Sequence, residues 1–350
     1  MFWPDTISKK LGIEYPIIQA PMFGMSTVQM VAAAAKAGCL GSLALADLSA
    51  EQSVELIRET RKLTDSPFAV NIFAHRIPEV TDGLREKFIK AKHFIQQLAK
   101  ENNIEVILPD LEAIQTRSYH ELIDPIIEEH CKILSFIFGS LDEQTIQKLK
   151  ANDITLIGTC TSVEEALILE KSGVDIICVQ GLEAGGHRGA FDADYIPQIG
   201  GLSLLSQVYD HVKVPLIYAG GIYNARMIHA TKDLGAQGFQ VGSLLLASAE
   251  SALKPFEKER LKKVREEEIV LTRSFSGRYA RGIKNKFIET IENSDYILPY
   301  PYQNKLTNAL RRAAKALHNP EFVNIWVGQS IHHYSGLSTE DILKDLIREI

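Results

Sequence analysis

The chemistry in this sequence gathers at the ends of short apolar runs, and His187 is its focus. The imidazole stands in a loop, with Ala184-Gly185-Gly186 before it and Gly189 after it, and no apolar neighbour in sequence buries it. An imidazole with an ordinary pKa of about 6.5 serves as a general base near neutrality, and flanking glycines let a ligand reach the ring. The alternative is a bystander, since many loop histidines have no role. Arg188 also reads in two ways, as an attractor of anions or as half of a surface ion pair. Other histidines, among them His75, His93, His120 and His332, fall in helical or surface contexts and suggest no chemistry.

Two glycine-containing pairs point to an anion. Gly220-Gly221 follows the apolar run Val214–Ala219, and Gly242-Ser243 follows Gly238–Val241. Backbone N–H groups approach a phosphate closely where no side chain intervenes, and a Ser hydroxyl adds a donor. Either pair alone reads as a tight turn; both together, at successive runs, read as a phosphate site. Asn71 and Gln180 end otherwise apolar runs. A buried amide without partners costs roughly 1–3 kcal/mol, so each must be paired. A heterocycle with imide N–H and carbonyl groups, such as a flavin or a nucleobase, would pair them; so would neighbouring backbone.

Several chemistries lack their residues. There is no Gly-x-Ser-x-Gly elbow, Walker loop or His-Glu-x-x-His. No Lys ends a run, as a Schiff-base aldolase needs, and no carboxylate pair does, as glycosidases and two-metal sites need. Cys39, Cys131, Cys160 and Cys178 are widely spaced without C-x-x-C pairs. Buried structural thiols are expected, with neither a bound metal nor a disulfide framework. A formal charge of −6 argues against a nucleic-acid surface. No apolar run approaches the ~20 residues that span a bilayer, and Met1 to Lys10 lacks the features of a signal peptide. The expectation is a soluble, cytoplasmic protein that binds neither nucleic acid nor membrane; a homodimer is compatible with the sequence.

The elements that must position these groups follow from hydrophobic pattern. Runs of strand length at Tyr15–Met22, Cys39–Ala46, Phe68–Phe73, Ile133–Phe138, Ile154–Cys160, Val174–Gln180, Val214–Ala219 and Gly238–Val241 lack alternation, as strands buried on both faces do. Helical patterns separate them. Capping boxes are expected at Ser49-x-x-Gln52, Ser140-x-x-Glu143 and Thr161-x-x-Glu164, and Gly38, Gly173 and Gly235 are expected to close helices. Eight strands alternating with helices match the (β/α)8 barrel of the α/β class, the TIM barrel, whose chemistry sits at the carboxyl ends of the strands.

Of the 350 residues, 45% are hydrophobic and 23% charged, which fits one large folded domain with additions, or two domains. The additions are an insertion at 74–131 after the third strand, with an amphipathic pattern at Leu84, Phe88, Ile89, Phe94, Ile95 and Leu98, and a mostly helical extension. The chain thus reads as a barrel over 1–250 and an extension over 251–350 that caps the site. Pro-Tyr-Pro-Tyr at 299–302 is expected to cross the surface as an extended segment.

Taken together, Gln19-Ala20-Pro21-Met22, Phe68-Ala69-Val70-Asn71, Gln180 through Gly189, Tyr218-Ala219-Gly220-Gly221-Ile222 and Gly238-Phe239-Gln240-Val241-Gly242-Ser243 resemble nitronate monooxygenase, formerly 2-nitropropane dioxygenase. The resemblance continues through Arg273-Ser274-Phe275-Ser276-Gly277-Arg278, Arg281-Gly282-Ile283 and Trp326-x-Gly328-Gln329, and so spans nearly the whole chain. Glu183-Ala184-Gly185-Gly186-His187 is its most specific part. One departure is Gly24-Met25, where the family's first motif often carries two glycines or another small residue. The resemblance implies an FMN-dependent oxidoreductase that uses O2 to oxidise alkyl nitronates to a carbonyl compound and nitrite. It implies that Asn71, Gln180, Gly185, Gly220, Gly221, Gln240, Val241, Gly242 and Ser243 bind FMN, that Met22 lies near the isoalloxazine, and that His187 is the base or a substrate-binding group. The alternative is the related FMN-dependent trans-2-enoyl-acyl-carrier-protein reductase, which takes hydride from NAD(P)H.

Overall fold

Eight short apolar strands form the centre of the molecule because helices or the barrel interior cover both their faces. They are β1 (Ile17–Gln19), β2 (Gly41–Ala46), β3 (Phe68–Phe73), β4 (Ile133–Ile137), β5 (Thr155–Cys160), β6 (Ile176–Gln180), β7 (Leu216–Ala219) and β8 (Gly238–Val241). The structure is a computed structural model describing residues 3–331 and 333–350, so His332 lies outside the described residues. All neighbours pair in parallel, in the order β1-β8-β7-β6-β5-β4-β3-β2. The ends of that order join where Gln19 N–H donates to the Leu40 carbonyl (2.8 Å) and Leu40 N–H to Ile17 (2.9 Å). The sheet is therefore a closed (β/α)8 barrel. β1 is shorter than its apolar run because Pro16 and Pro21 bracket it and neither has an N–H for the ladder.

The barrel interior changes character along its axis. Towards the amino ends it is filled by Ile18, Ala69, Ile133, Ile157, Ile176 and Ile217, closed from below by Ile7 and Leu11 of the helix Asp5–Leu11. Towards the carboxyl ends the inward positions become Asn71, Ser135, Thr159, Gln180 and Gln240. Outside, the strands pack on helices from Val28–Lys36 round to Ala225–Asp233, and the ring is completed by the last helix, Thr339–Arg348. Ile342, Leu343 and Leu346 of that helix share the main core with Met30, Val31 and Ala34.

A second core lies beyond the carboxyl ends. Phe88, Ile95 and Leu98 of the insertion helix Asp82–Glu101 pack there with Phe275, Phe287, Leu306, Leu310, Phe322 and Val327. Within 74–131, the helix His120–Glu128 is the crossover of the barrel itself, and it buries Leu122, Ile123 and Ile126 in the main core. The segment after β8 is not only helical. It contains the antiparallel pair β9 (Ile269–Thr272) and β10 (Ala280–Ile283), and β10 pairs on its other side with Gly186 and His187.

Local expectations fare unevenly. The Ser49–Gln52 capping box forms, and Gly38, Gly173 and Gly235 all take positive φ. The other two caps sit elsewhere: Asp142 caps its helix by accepting from Thr145 N–H, and Ser162 by accepting from Glu165 N–H. Ile89 is not on the buried face; it is 67% exposed. The 299–302 segment does not cross the surface either. Tyr300, Pro301 and Tyr302 are buried, and the Tyr302 hydroxyl donates to the Pro78 carbonyl (2.8 Å). The aromatic rings bury apolar area, Tyr302 in the second core and Tyr300 against Phe73 and Phe138, which an extended surface path would leave in water. Among the described residues, no helix is long and apolar enough to cross a membrane.

Candidate active site

At the carboxyl ends of the strands lies a cavity of about 410 Å³. Its floor is the polar layer of the barrel, and its roof comes from residues after 299. One end is built by the turns after β7 and β8. Gly220 and Gly221 take φ of +137° and +67°, which L side chains rarely adopt. The backbone N–H groups of Gly221, Gly242 and Ser243 have no acceptor among the described residues. The Ser243 hydroxyl oxygen accepts from Gly328 N–H (2.9 Å), which leaves its own proton available to a ligand. Unmatched donors on two adjacent turns are an arrangement that can receive an anion.

The amides divide between ligand and backbone. Gln180 is largely committed to its own loop: Nε2 donates to the His187 carbonyl (2.9 Å) and Oε1 accepts from Gly189 N–H (2.8 Å). It thereby holds the histidine loop in place. Asn71 Nδ2 donates to Ser135 Oγ (2.9 Å), while its Oδ1 has no partner among the described residues. The Gln240 amide lines the cavity with no hydrogen bond at all among those residues. Met22 also lines it. Val241 does not: its side chain is fully buried in the main core, facing the helices, so only its backbone stands near the site.

Gly185 lines the cavity and also permits a close backbone approach. A Cβ there would stand 2.5 Å from Gly328 N and 2.6 Å from Val327 C. The glycine lets the 327–329 segment lie directly on the histidine loop, where Gln329 N–H donates to the Glu183 carbonyl (3.0 Å). The Glu183 carboxylate adds a second tie. It accepts from the Tyr218 hydroxyl and from Gly201 N–H (3.0 Å), the latter at the start of the helix Gly201–His211.

His187 is the centre of the other end. Far from lacking an apolar setting, its ring lies among Phe138, Trp326 and Tyr300, with centroids 5.6, 5.7 and 6.4 Å away. None of the three is near it in sequence. Nε2 lies 2.8 Å from Ser276 Oγ. With the Ser276 proton on the Arg278 carbonyl (3.0 Å), Nε2 carries the ring proton and donates to Ser276. Nδ1 is left with its lone pair and no partner among the described residues. Burial first, then the charges of Arg278 and Arg311, push the pKa down to about 3. The imidazole is therefore neutral at physiological pH, and it is a far weaker base than an ordinary histidine.

Four guanidinium groups surround this region: Arg188, Arg278, Arg281 and Arg311. None forms a salt bridge among the described residues. Arg188 is neither an exposed anion attractor nor half of a surface pair. It is buried, and its guanidinium donates to the carbonyls of Gly181 and Gln180 at the end of β6. Sequence reasoning missed most of the roof, including Tyr300, Asn304, Asn308, Arg311, Asn324 and Trp326. Asn304, Asn308 and Arg311 recur at helical spacing on one face of Tyr302–Ala316, the one signal that was there to find. His75 was also passed over. It is buried, its ring meets Tyr300 edge-on at 4.7 Å, and it touches the Phe73 backbone region without a normal hydrogen bond to either nitrogen.

Comparison with known proteins places the chain. The family model for nitronate monooxygenase matches residues 5–349. A probable nitronate monooxygenase of Staphylococcus saprophyticus is 36% identical over 343 residues, covering 97% of this chain and 95% of that one. One from Staphylococcus haemolyticus is 34% identical over 354 residues, covering 100% and 98%. Among solved structures, nitroalkane oxidase from Streptomyces ansochromogenes superposes with a TM-score of 0.86 at 31% identity, covering 98% and 97%. FabK from Thermotoga maritima superposes with a TM-score of 0.74 at 26% identity, covering 98% and 94%. The chain belongs to the nitronate monooxygenase family and is an enzyme, a flavin-dependent oxidoreductase.

Proposed function

We propose that the enzyme binds FMN and oxidises alkyl nitronates with O2 to a carbonyl compound and nitrite. The observation that carries this reading is the pairing, in one cavity, of unmatched backbone donors after β7 and β8 with a neutral, fixed imidazole at the opposite end. The residues fit the cofactor. Gly220, Gly221, Gly242 and Ser243 would hold the phosphate. Gln240 and Asn71 have free amide atoms for the ring, Met22 would lie against it, and Gln180 and Gly185 support the loop beside it. FMN supplies the electron transfer and the reaction with O2, so the protein's work is binding and orientation.

His187 orients the substrate. Its depressed basicity makes it poorly suited to removing the α-proton of a neutral nitroalkane, whereas a preformed nitronate needs no proton removed. The residues after 250 supply Tyr300, Asn324 and Trp326 over the cavity and exclude water from it, the capping role proposed for that segment.

The test is direct. Purified protein should be yellow, release FMN on denaturation, and form nitrite from ethyl or propyl nitronate in air. Protein that is colourless and cannot be reconstituted with FMN contradicts the cofactor assignment. NADH-dependent reduction of crotonyl thioesters without nitrite would favour the enoyl reductase reading instead. His187→Asn should retain FMN and slow nitronate turnover; unchanged turnover removes His187 from the site's chemistry.

A further inference from the structure

We propose that Arg311 receives the anionic group of the substrate and makes the enzyme selective for a nitronate over its neutral nitroalkane; this rests on the nitronate-oxidising reading above. Arg311 lies on the helix Tyr302–Ala316, and its guanidinium lines the cavity that His187 lines. Every partner it has is a neutral oxygen. Nη2 donates to the Asn304 carbonyl (2.7 Å) and to Asn304 Oδ1 (2.8 Å), Nη1 to Asn324 Oδ1 (3.2 Å), and Nε to the Thr307 carbonyl (3.4 Å). A guanidinium has five N–H bonds, so one on Nη1 remains unmatched.

Among the described residues Arg311 forms no ion pair, and the carboxylate whose charge reaches it is Asp47. Asp47, the carboxylate on this side of the cavity, is held by Lys305 at 2.5 Å. Arg278 lies behind Phe138, 4.3 Å over its ring, and donates to the carbonyls of Ala190 and Phe191. Of the cations that line the cavity, Lys305 is paired with Asp47 and Arg117 donates to Gln115 Oε1 (3.1 Å) at an exposed contact, so Arg311 is the enclosed one with no carboxylate in ion-pair distance among the described residues. Burial lowers its pKa only to about 10, so it stays charged at neutral pH. A buried cation is costly unless an anion completes it. The free Nη1 hydrogen can donate to one oxygen of a nitronate, a charge-assisted hydrogen bond to an anion. A neutral nitroalkane gains no such charge pairing. The same positive charge opposes protonation of His187, so a neutral nitroalkane also meets a weak base. Anion capture and weak basicity select the same substrate form.

Nitrate, a planar anion with oxygens like those of a nitronate, is the probe. Calorimetric titration of holoenzyme should show nitrate binding that R311M weakens about 10–100-fold, the range for hydrogen bonds to a charged group. In steady state, R311M should raise KM for propyl nitronate by a similar factor, change kcat less than about three-fold, and narrow the preference for propyl nitronate over 1-nitropropane. R311K, which keeps the charge, should recover part of the loss. Nitrate affinity unchanged in folded, FMN-loaded R311M overturns the assignment. Should the variant not fold, wild-type crystals soaked in nitrate decide: an oxygen within hydrogen-bond distance of Arg311 Nη1 supports the site, and nitrate elsewhere or absent overturns it. Nitrate bound at Arg311 without nitrite from any nitronate would keep the anion site and reject the nitronate reading. Nitrite formation indifferent to R311M would do the reverse.

Discussion

Ser276→Ala isolates the contact that fixes the His187 ring. Ser276 is buried, accepts from His187 Nε2–H at 2.8 Å and from Arg278 N–H at 3.3 Å, and donates to the Arg278 carbonyl at 3.0 Å. Removing the hydroxyl strands a buried ring N–H, and an unsatisfied buried donor costs about 1–3 kcal/mol. The ring relieves that cost by shifting its proton to Nδ1 or by turning over, and either change alters the face it presents to the cavity. Its aromatic neighbours remain, so the fold and cofactor should be retained. The expected result is a fall in kcat/KM for propyl nitronate of about 10–100-fold, equivalent to about 1.4–2.8 kcal/mol. Nitrite release per bound FMN gives the rate, and 15N NMR of the imidazole gives the tautomer. Ser276→Thr, which keeps the hydroxyl, should retain more activity than the alanine variant. S276A turning over nitronate within two-fold of wild type, with an unchanged imidazole spectrum, would refute the reasoning.

Other expectations follow from the same structure. His187 stays neutral down to pH of about 4, so nitronate turnover should show no inflection near pH 6.5; one that disappears in His187→Asn would contradict this. His75 is held neutral too, its pKa lowered to about 4 by burial and then by Arg278, and it lacks normal hydrogen bonds. Because the unfolded chain takes up a proton below pH of about 6.5 and the native chain does not, this stability is present above that pH. It is lost as pH falls towards about 4, at up to about 1.4 kcal/mol per pH unit for each histidine. His75→Leu should therefore be at least as stable as wild type in urea at pH 7 and gain further at pH 5; equal losses at both would contradict it. Gly185→Ala drives a Cβ into the fixed backbone of residues 327–328 and should lower stability by about 1–3 kcal/mol, with earlier flavin release on heating. All four thiols are buried, with Cys39 and Cys178 pushed up to about 12 and Cys131 to about 11, so a thiol reagent should label none before denaturation and four after it.

The barrel was legible because strands buried on both faces must be short apolar runs, and eight such runs stand in the chain. Their bounds shifted where Pro16, Pro21 and Pro215 denied the ladder its donors. The glycine turns after β7 and β8 were legible because glycine marks both close approach and unusual φ. Caps slipped by a residue or two because Asp142 and Ser162 compete with nearby Ser140 and Thr161 for the same task, and local sequence does not rank them. The roof was not legible. Tyr300, Arg311, Asn324 and Trp326 reach the cavity by tertiary packing of the second core, which no strand-end rule locates. The surroundings of His187 were misjudged for the same reason: Phe138, Tyr300 and Trp326 are far from it in sequence, and they turn an ordinary loop imidazole into a half-buried neutral one. Arg188 read as an anion attractor or a surface ion pair, yet it is buried with its guanidinium on the Gly181 and Gln180 carbonyls, partners that local sequence does not reveal.

The most direct measurement is O2 uptake and nitrite formation by the purified holoenzyme with propyl nitronate, without NADH or NADPH, followed by identification of the released flavin. The result expected is nitrite formed with O2 consumption and FMN released on denaturation. Absence of nitrite, together with NADH-dependent reduction of a crotonyl thioester by the same preparation, would contradict the assignment of nitronate oxidation to this site.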